Sequence, residues 1–398
     1  MTDMKCYILK RGNDILSLLF EDNKCIEILH HEITGRPSIG QLFICRCKDV
    51  RQNIGAAFAN IGADRNAYLP FSEIDENTIF TKKQGKALIN EGDELVVRVV
   101  KEDMGIKPAT VSGKLNISGK YTVLINDTEN KIHTSKKLKS IDEKEQIITK
   151  ALTEEKGYSY IIRTNAGSAG PETVIKDARI LKAAFDGIKE HAAFRAAPFL
   201  LYSPPASYLS YLRDQKSDAL TEIITDDKDI YDDICCWKDV LELCDVKLYT
   251  DTYPLKSLLS LSSLFSEVKG RVSWMKSGAY LVIEQTEALV SIDVNSGKAE
   301  AKKDRYSFYK EINLEAAKEA ARQIRLRNLS GMILIDFINM KDDDDRAEVL
   351  KCLQKCLLND SLKAHALGFT KLGLMEVTRE KRRGNVFSMP LEKFIDLE

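Results

Sequence analysis

Two aspartates carry the strongest chemical signal in this sequence. Asp293 lies in Ala288-Leu-Val-Ser-Ile-Asp-Val-Asn-Ser-Gly297, and Asp336 lies in Gly331-Met-Ile-Leu-Ile-Asp-Phe-Ile-Asn339. Each interrupts a β-rich apolar run. A carboxylate in such a strand is costly to leave unpaired, so it calls for a hydrogen-bond donor, a cation or a metal. If the two strands are neighbours, the carboxylates face each other and offer hard oxygen ligands suited to Mg²⁺, which keeps several waters of its own. An ion there would activate water, polarise a phosphoryl oxygen and neutralise charge in a transition state. Asn295 follows Asp293 by two residues and points to the same side of a continuing strand, where its amide can hold a phosphate oxygen. The pattern alone leaves an alternative open, in which each Asp caps a turn or pairs with an arginine.

Other residues could meet a nucleic acid. In Gly55-Ala-Ala-Phe-Ala-Asn-Ile-Gly-Ala-Asp-Arg-Asn-Ala-Tyr-Leu-Pro-Phe71, a hairpin centred near Ala63 sets Phe58 opposite Tyr68. Side-by-side aromatics on a barrel surface stack unpaired bases, although such a pair can equally belong to a core. Arg163-Thr164 ends a strand before a Gly-containing loop; arginine and a hydroxyl together can hold a phosphate, or the arginine is an ordinary surface residue. Arg322 and Arg325 fall on one helix face, to meet phosphates or water. The run Arg379-Glu-Lys-Arg-Arg383 is a basic patch of the kind that RNA backbone attracts. Asp342–Asp345 precedes a helix and reads as its N-terminal cap in preference to a second metal site.

These residues need elements to position them. Residues 1–35 alternate as a short hairpin. Residues 36–118 read as short strands, Ile39–Asp49, Gly55–Asn60, Asn66–Pro70 and Glu94–Lys101, which an all-β barrel accommodates. Residues 119–207 carry a strand at Tyr121–Asn126, a helix near Ser140–Glu155, a strand at Tyr158–Thr164 and a long helix at about Pro171–Ala196. Residues 208–270 are mixed, and 271–398 alternate strand and helix as an α/β layer, with helices at Leu314–Leu326 and Asp344–Leu358. In the first of these, Leu314, Ala317, Ala321 and Ile324 form the buried stripe.

Composition sets bounds. The 398 residues suffice for several cores, and the net charge of −1 gives no global basic field, so RNA binding would need local patches. No apolar run is long enough to cross a bilayer, and none behind Met1 resembles a secretory signal. Nine cysteines without a regular framework point to a reducing compartment, and the expected location is cytoplasmic. Cys352 with Cys356, and Cys45 with Cys47, read as core residues.

The chain resembles the ribonuclease E/G family of bacterial endoribonucleases. The resemblance is carried by Ser277-Gly-Ala-Tyr-Leu-Val-Ile-Glu-Gln-Thr-Glu-Ala-Leu-Val-Ser-Ile-Asp-Val-Asn-Ser-Gly-Lys298, by Asn313-Leu-Glu-Ala-Ala317 through Arg322-Gln-Ile-Arg-Leu-Arg327 to Ile338, and by Lys371-Leu-Gly-Leu-Met-Glu-Val-Thr-Arg379. It implies an α/β multi-subdomain fold. A non-catalytic ribonuclease-H-like layer (1–35 and 208–270) would carry an inserted S1-type OB β-barrel (36–118) and a 5′-monophosphate sensor (119–207). A deoxyribonuclease-I-like catalytic subdomain (271–398) would follow. It also implies Mg²⁺ on Asp293 and Asp336, with Asn295 as catalytic companion. RNA contacts would fall to Phe58, Tyr68, Lys107, Arg322, Arg325, Lys371 and Arg379, and a 5′-phosphate pocket to Gly119, Val123, Arg163 and Thr164.

Family members usually carry a C-P-x-C zinc link soon after the catalytic domain. Here Arg382-Arg-Gly-Asn-Val-Phe-Ser-Met-Pro390 runs on to Glu398 without it. The expectation is therefore no zinc at that position, leaving a homodimer with another interface or a monomer. The expected activity is Mg²⁺-dependent hydrolysis of single-stranded RNA, as in rRNA precursors and mRNA, to 5′-phosphate and 3′-hydroxyl ends, favouring 5′-monophosphorylated substrates. Two other readings compete: an inactive S1-domain RNA-binding regulator, and a metal-dependent phosphoesterase for small molecules. The intact carboxylates disfavour the first, and the RNA-type barrel disfavours the second.

Overall fold

The computed structural model describes residues 3–395 apart from 34, 82–87, 104–106, 128, 136, 137, 139–141, 155, 156, 216–218, 299–304, 341 and 382–384. The chain divides into two compact units. The first comprises 1–32, 219–236 and 244–398, and the second 33–218 and 237–243.

The first unit holds two sheets. One has five strands in the order Asp245–Leu248, Leu220–Thr225, Met4–Arg11, Asp14–Glu21, Lys24–Glu32. Its N-terminal part is a three-stranded antiparallel meander rather than the single hairpin expected, and Leu220–Thr225 joins Met4–Arg11 in parallel. Asp22 and Asn23, both at positive φ, form the two-residue turn that returns the second strand onto the third. The middle strand is buried along Asp14–Leu19, because Leu16 and Leu18 pack with Phe265, Leu326 and Phe394 on one side.

The other sheet of this unit carries the aspartates. Its strands are β1 (Val272–Trp274), β2 (Tyr280–Gln285), β3 (Leu289–Asn295), β4 (Gly331–Asp336), β5 (Ala364–Phe369) and β6 (Met375–Arg379), in the spatial order β1-β2-β3-β4-β6-β5. Helix α1 (Arg305–Leu326) crosses from β3 to β4, and α2 (Asp343–Leu357) leads from β4 towards β5. The β3–β4 pair is parallel, as a helical crossover requires. Val290, Ile292, Val294, Ile333 and Ile335 alternate with open-face residues and pack with Ala317, Ala320, Ile324, Val349 and Leu353 of the two helices. α2 begins as expected: the Asp342 side chain accepts from the Asp344 N–H, and Asp343, Asp344 and Asp345 fill its first turn.

The second unit contains a closed five-stranded β-barrel of the OB-like kind. Leu42–Arg51 pairs with both Ala56–Asn60 and Glu94–Lys101, and Thr110–Ser112 links Glu94–Lys101 to Ala67–Pro70. Cys45 and Cys47 lie in its core as expected. Phe199–Tyr202 adds to the barrel strand Leu42–Arg51 from far along the chain. A four-stranded sheet follows, in the order Asn116–Ser118, Thr122–Ile125, Ser159–Ile162, Ile132–Thr134. Its edge strand Asn116–Ser118 falls within the segment expected to belong to the barrel. The helix Pro171–Ala192 lays Val174, Ala178, Leu181, Phe185 and Ile188 against it, an i, i+4, i+7 stripe. Among the described residues no helix is long and apolar enough to cross a membrane.

Candidate active site

Parallel pairing of β3 with β4 sets Asp293 directly beside Asp336. Adjacent strands lie about 4.8 Å apart, so the two carboxylates are neighbours at the carboxyl ends of a parallel pair. That is where open α/β sheets place their ligands. Both side chains are exposed on the face away from the helices, not enclosed as the apolar flanks suggested, because strand alternation buries Ile292, Val294 and Ile335 and turns the aspartates outward. The Asn295 amide donates to Asp293 Oδ2 at 2.7 Å, fixing that carboxylate. Among the described residues neither aspartate has a Lys or Arg ion pair, and no third His, Cys, Asp or Glu completes a metal-binding group. Like charges side by side repel, and a hard cation between them would relieve that repulsion. Lys371 is exposed in the turn between β5 and β6. Ile335 pairs with Met375, so this turn lies at the end of the sheet that carries Asp336.

Three arginines from the sequence reading are engaged elsewhere. Arg322 donates to both Glu319 oxygens, to Glu267 at 2.6 Å and to the Cys25 carbonyl. Arg325 donates to Glu27 Oε2 from Nε and Nη2 and to the Asn359 carbonyl. Arg379 is buried and grips Asp360 with Nε and Nη2 while donating to Asn328 and the Leu329 carbonyl. The expected RNA contacts of these residues thus meet guanidiniums already engaged with carboxylates beneath the sheet and its helices. Arg382 and Arg383 of the basic run lie outside the described residues.

In the second unit, Gly119, Val123 and Arg163 meet at one end of the four-stranded sheet. Val123 pairs with Ile161, two residues before Arg163, so the two share a face. Arg163 Nη1 donates to the Gly119 carbonyl at 2.6 Å and to Asp214 Oδ1 at 2.9 Å. Burial alone would raise the Asp214 carboxyl, but the charges of Arg163 and Arg213 outweigh it and hold the group below its ordinary value. Thr164 lies next along, its hydroxyl 3.0 Å from that of Ser135. The backbone N–H groups of Lys120, Tyr121 and Thr122 all donate to Asp177. A Cβ on Gly119 would stand 2.5 Å from both Asp177 oxygens, so a side chain there would have to displace a carboxylate that three backbone N–H groups hold.

On the barrel, Phe58 and Tyr68 are cross-strand partners as the hairpin symmetry predicts. Both are half-buried, with ring centroids 5.9 Å apart at 64°, and the Arg51 guanidinium lies 5.8 Å from the Phe58 centroid. The Tyr68 N–H donates to the Ala109 carbonyl, which brings exposed Lys107, two residues earlier, towards Tyr68.

The model of the ribonuclease E/G family matches residues 116–382. The chain belongs to the ribonuclease E/G family. Ribonuclease G of Escherichia coli (strain K12) is 30% identical over 380 residues, covering 92% of this chain and 77% of that protein. Ribonuclease G of Haemophilus influenzae is 31% identical, covering 93% and 78%. Ribonuclease E of Nostoc sp. is 29% identical, covering 94% of this chain and 55% of that protein. The ribonuclease E/G match spans both aspartates, Asn295 and Gly119, Val123, Arg163 and Thr164, and leaves Phe58, Tyr68 and Lys107 outside it.

Some residues of this ribonuclease E/G chain that shape these sites carry no sequence signal. Asp214 reaches Arg163 across 51 positions, and Asp177 caps a turn 55 positions away. Trp274, in a three-residue strand, carries no mark in the pattern, yet it stands on the face that bears the aspartates.

Proposed function

We propose that this chain is a metal-dependent endoribonuclease that hydrolyses single-stranded RNA to 5′-phosphate and 3′-hydroxyl ends. The observation that carries the reading is the in-register pair Asp293–Asp336 on an open sheet face, with Asn295 bonded to Asp293. Family membership and the ribonuclease names of the relatives support the RNA-cleaving activity. Asp293 and Asp336 would hold the cation, Mg²⁺ by their all-oxygen chemistry. A divalent ion there supplies a Lewis acid for the phosphoryl oxygen and a more acidic water. Asn295 holds the Asp293 carboxylate in one orientation, and Lys371 offers a positive charge to the RNA backbone near Asp336.

The barrel face with Phe58, Tyr68 and Lys107 is the proposed grip on unpaired bases. Gly119, Val123, Arg163 and Thr164 form the proposed 5′-monophosphate pocket, in which the phosphate would compete with Asp214 for Arg163. By their strand orders we read the five-stranded sheet as the ribonuclease-H-like layer and the six-stranded sheet as the deoxyribonuclease-I-like subdomain.

The test uses a 5′-monophosphorylated, AU-rich single-stranded RNA with Mg²⁺ or with EDTA. Wild type should cut only with the metal. Asp293→Asn and Asp336→Asn should each lose more than about 100-fold, the most that removing a group which merely orients a ligand costs. Binding without cutting by wild type would establish the RNA-binding regulator instead.

A further inference from the structure

Trp274 and Tyr280 share the open sheet face with the carboxylates, and the proposed reaction gives neither of them a role. Cross-strand register places Trp274, Tyr280 and Asn295 in one row, and Val272, Val282, Asp293 and Asp336 in the next. Paired residues, and residues two apart on a strand, share a face. The two rings, the amide and both carboxylates therefore look out from the same side of the sheet, and Ser273 and Leu281 between them are buried on the other. The rows are about 6.6 Å apart along the strands, and at about 4.8 Å per strand Tyr280 lies one strand and Trp274 two strands across from Asp293. Their backbones therefore stand about 8 and about 12 Å from it, a span that the side chains and one nucleotide can cover.

The rings form a pair of their own. Their centroids are 4.9 Å apart at 50°, and Trp274 is 63% exposed. Tyr280 is backed by the turn after β3: a Cβ on Gly297 would come within 3.1 Å of the tyrosine ring and 2.5 Å of the Gly278 carbonyl. Glycine at 297 lets the ring seat against that turn, leaving the indole as the outer surface.

We propose that Trp274 and Tyr280 form a stacking shelf for the unpaired nucleobase adjoining the phosphodiester held at Asp293 and Asp336. The surroundings favour a nucleotide over a protein partner. A protein interface core is depleted in charge, whereas here the Tyr280 ring neighbours the Asn295 amide and both rings share a face with two carboxylates. A nucleotide supplies a π-face for the rings and a phosphate for the cation that the carboxylates would bind. Stacking of this kind tolerates any base. The inference rests on the reading of Asp293 and Asp336 as the catalytic pair.

The experiment uses a 5′-monophosphorylated single-stranded RNA with a mapped cleavage site, and copies that lack one base at a time on either side of it. Single-turnover cleavage is compared for wild type, Trp274→Ala and Trp274→Phe. One abasic position should slow wild type by about tenfold, as loss of a stacked base does. Trp274→Ala should slow the intact RNA by a similar factor and no longer respond to that abasic position, and Trp274→Phe should keep most of the rate. If wild type cuts every abasic copy at the intact rate, or if the two losses multiply, the shelf is overturned. A change in sedimentation of RNA-free Trp274→Ala, with abasic sensitivity intact, would assign the face to a second copy of the chain and overturn it equally. If wild type cuts nothing, the catalytic reading fails separately. The shelf is then decided by short single-stranded RNA and Trp237→Phe, in which Trp274 is the remaining tryptophan: quenching of its fluorescence upholds the shelf, and no quenching rejects it.

Discussion

The two faces of the six-stranded sheet are built from one alternating sequence and treat charge in opposite ways. Beneath the sheet, around α1, every charge singled out above has a partner: Arg322 with Glu319 and Glu267, Arg325 with Glu27, Arg379 with Asp360. On the open face, Asp293 and Asp336 stand side by side with an amide and no cation among the described residues. Low-dielectric surroundings make an unpaired charge prohibitive below the sheet, while water makes two adjacent carboxylates tolerable above it. Charge beneath the sheet thus serves the fold, and charge above it is available for chemistry.

The largest effect should come from breaking a pair on the covered side. Arg379→Met removes the two guanidinium N–H donors to Asp360, whose side chain is 3% exposed, and leaves the Leu362 N–H among its remaining partners. Loss of one partner of a buried pair costs about 3–5 kcal/mol. Urea unfolding should show that loss, while the cleavage rate per folded molecule stays near wild type. A rate loss with unchanged stability would return Arg379 to the RNA surface and dissolve the contrast between the faces.

The covered side should also fail in acid. Burial pushes the Glu319 carboxyl up, but hydrogen bonds and charge from Arg322, with help from Gln323 and Lys24, outweigh it and bring the group from 4.5 down to about 2. Because the folded value is the lower one, the stabilisation is complete above about pH 4.5 and is lost as pH falls towards 2. The gap corresponds to about 3 kcal/mol. Glu319→Gln should be less stable than wild type at pH 7 and show a shallower decline in unfolding free energy between pH 4.5 and 2. Equal slopes for the two proteins would remove Glu319 from the account.

How much of this was legible depended on whether the signal was local. The Phe58–Tyr68 pairing follows from the symmetry of one hairpin, and the Asp342 cap from four adjacent residues, so both could be read from the chain. The aspartates were legible as anomalies in apolar strands, but their common register depends on a crossover helix between strands 43 positions apart in sequence. The spacing of Arg322 and Arg325 correctly placed them on one face of α1. It could not show that Cys25 and Glu27, almost 300 residues away, would cover that face. Trp274 was silent because a three-residue strand is too short for alternation to declare itself.

The smallest effect separates the faces most finely, because it compares consecutive residues of β4. Met332 is 57% exposed on the open side, whereas Ile333 is 1% exposed beneath the helices. Truncating an exposed side chain changes stability by no more than about 0.5 kcal/mol, whereas emptying a packed core position costs about 2–5 kcal/mol. Met332→Ala should therefore unfold at nearly the wild-type urea midpoint, and Ile333→Ala at a clearly lower one. A comparable loss in Met332→Ala would mean that the open face is covered in solution. The aspartates would then share a buried surface, and the water-facing setting argued for them would no longer hold.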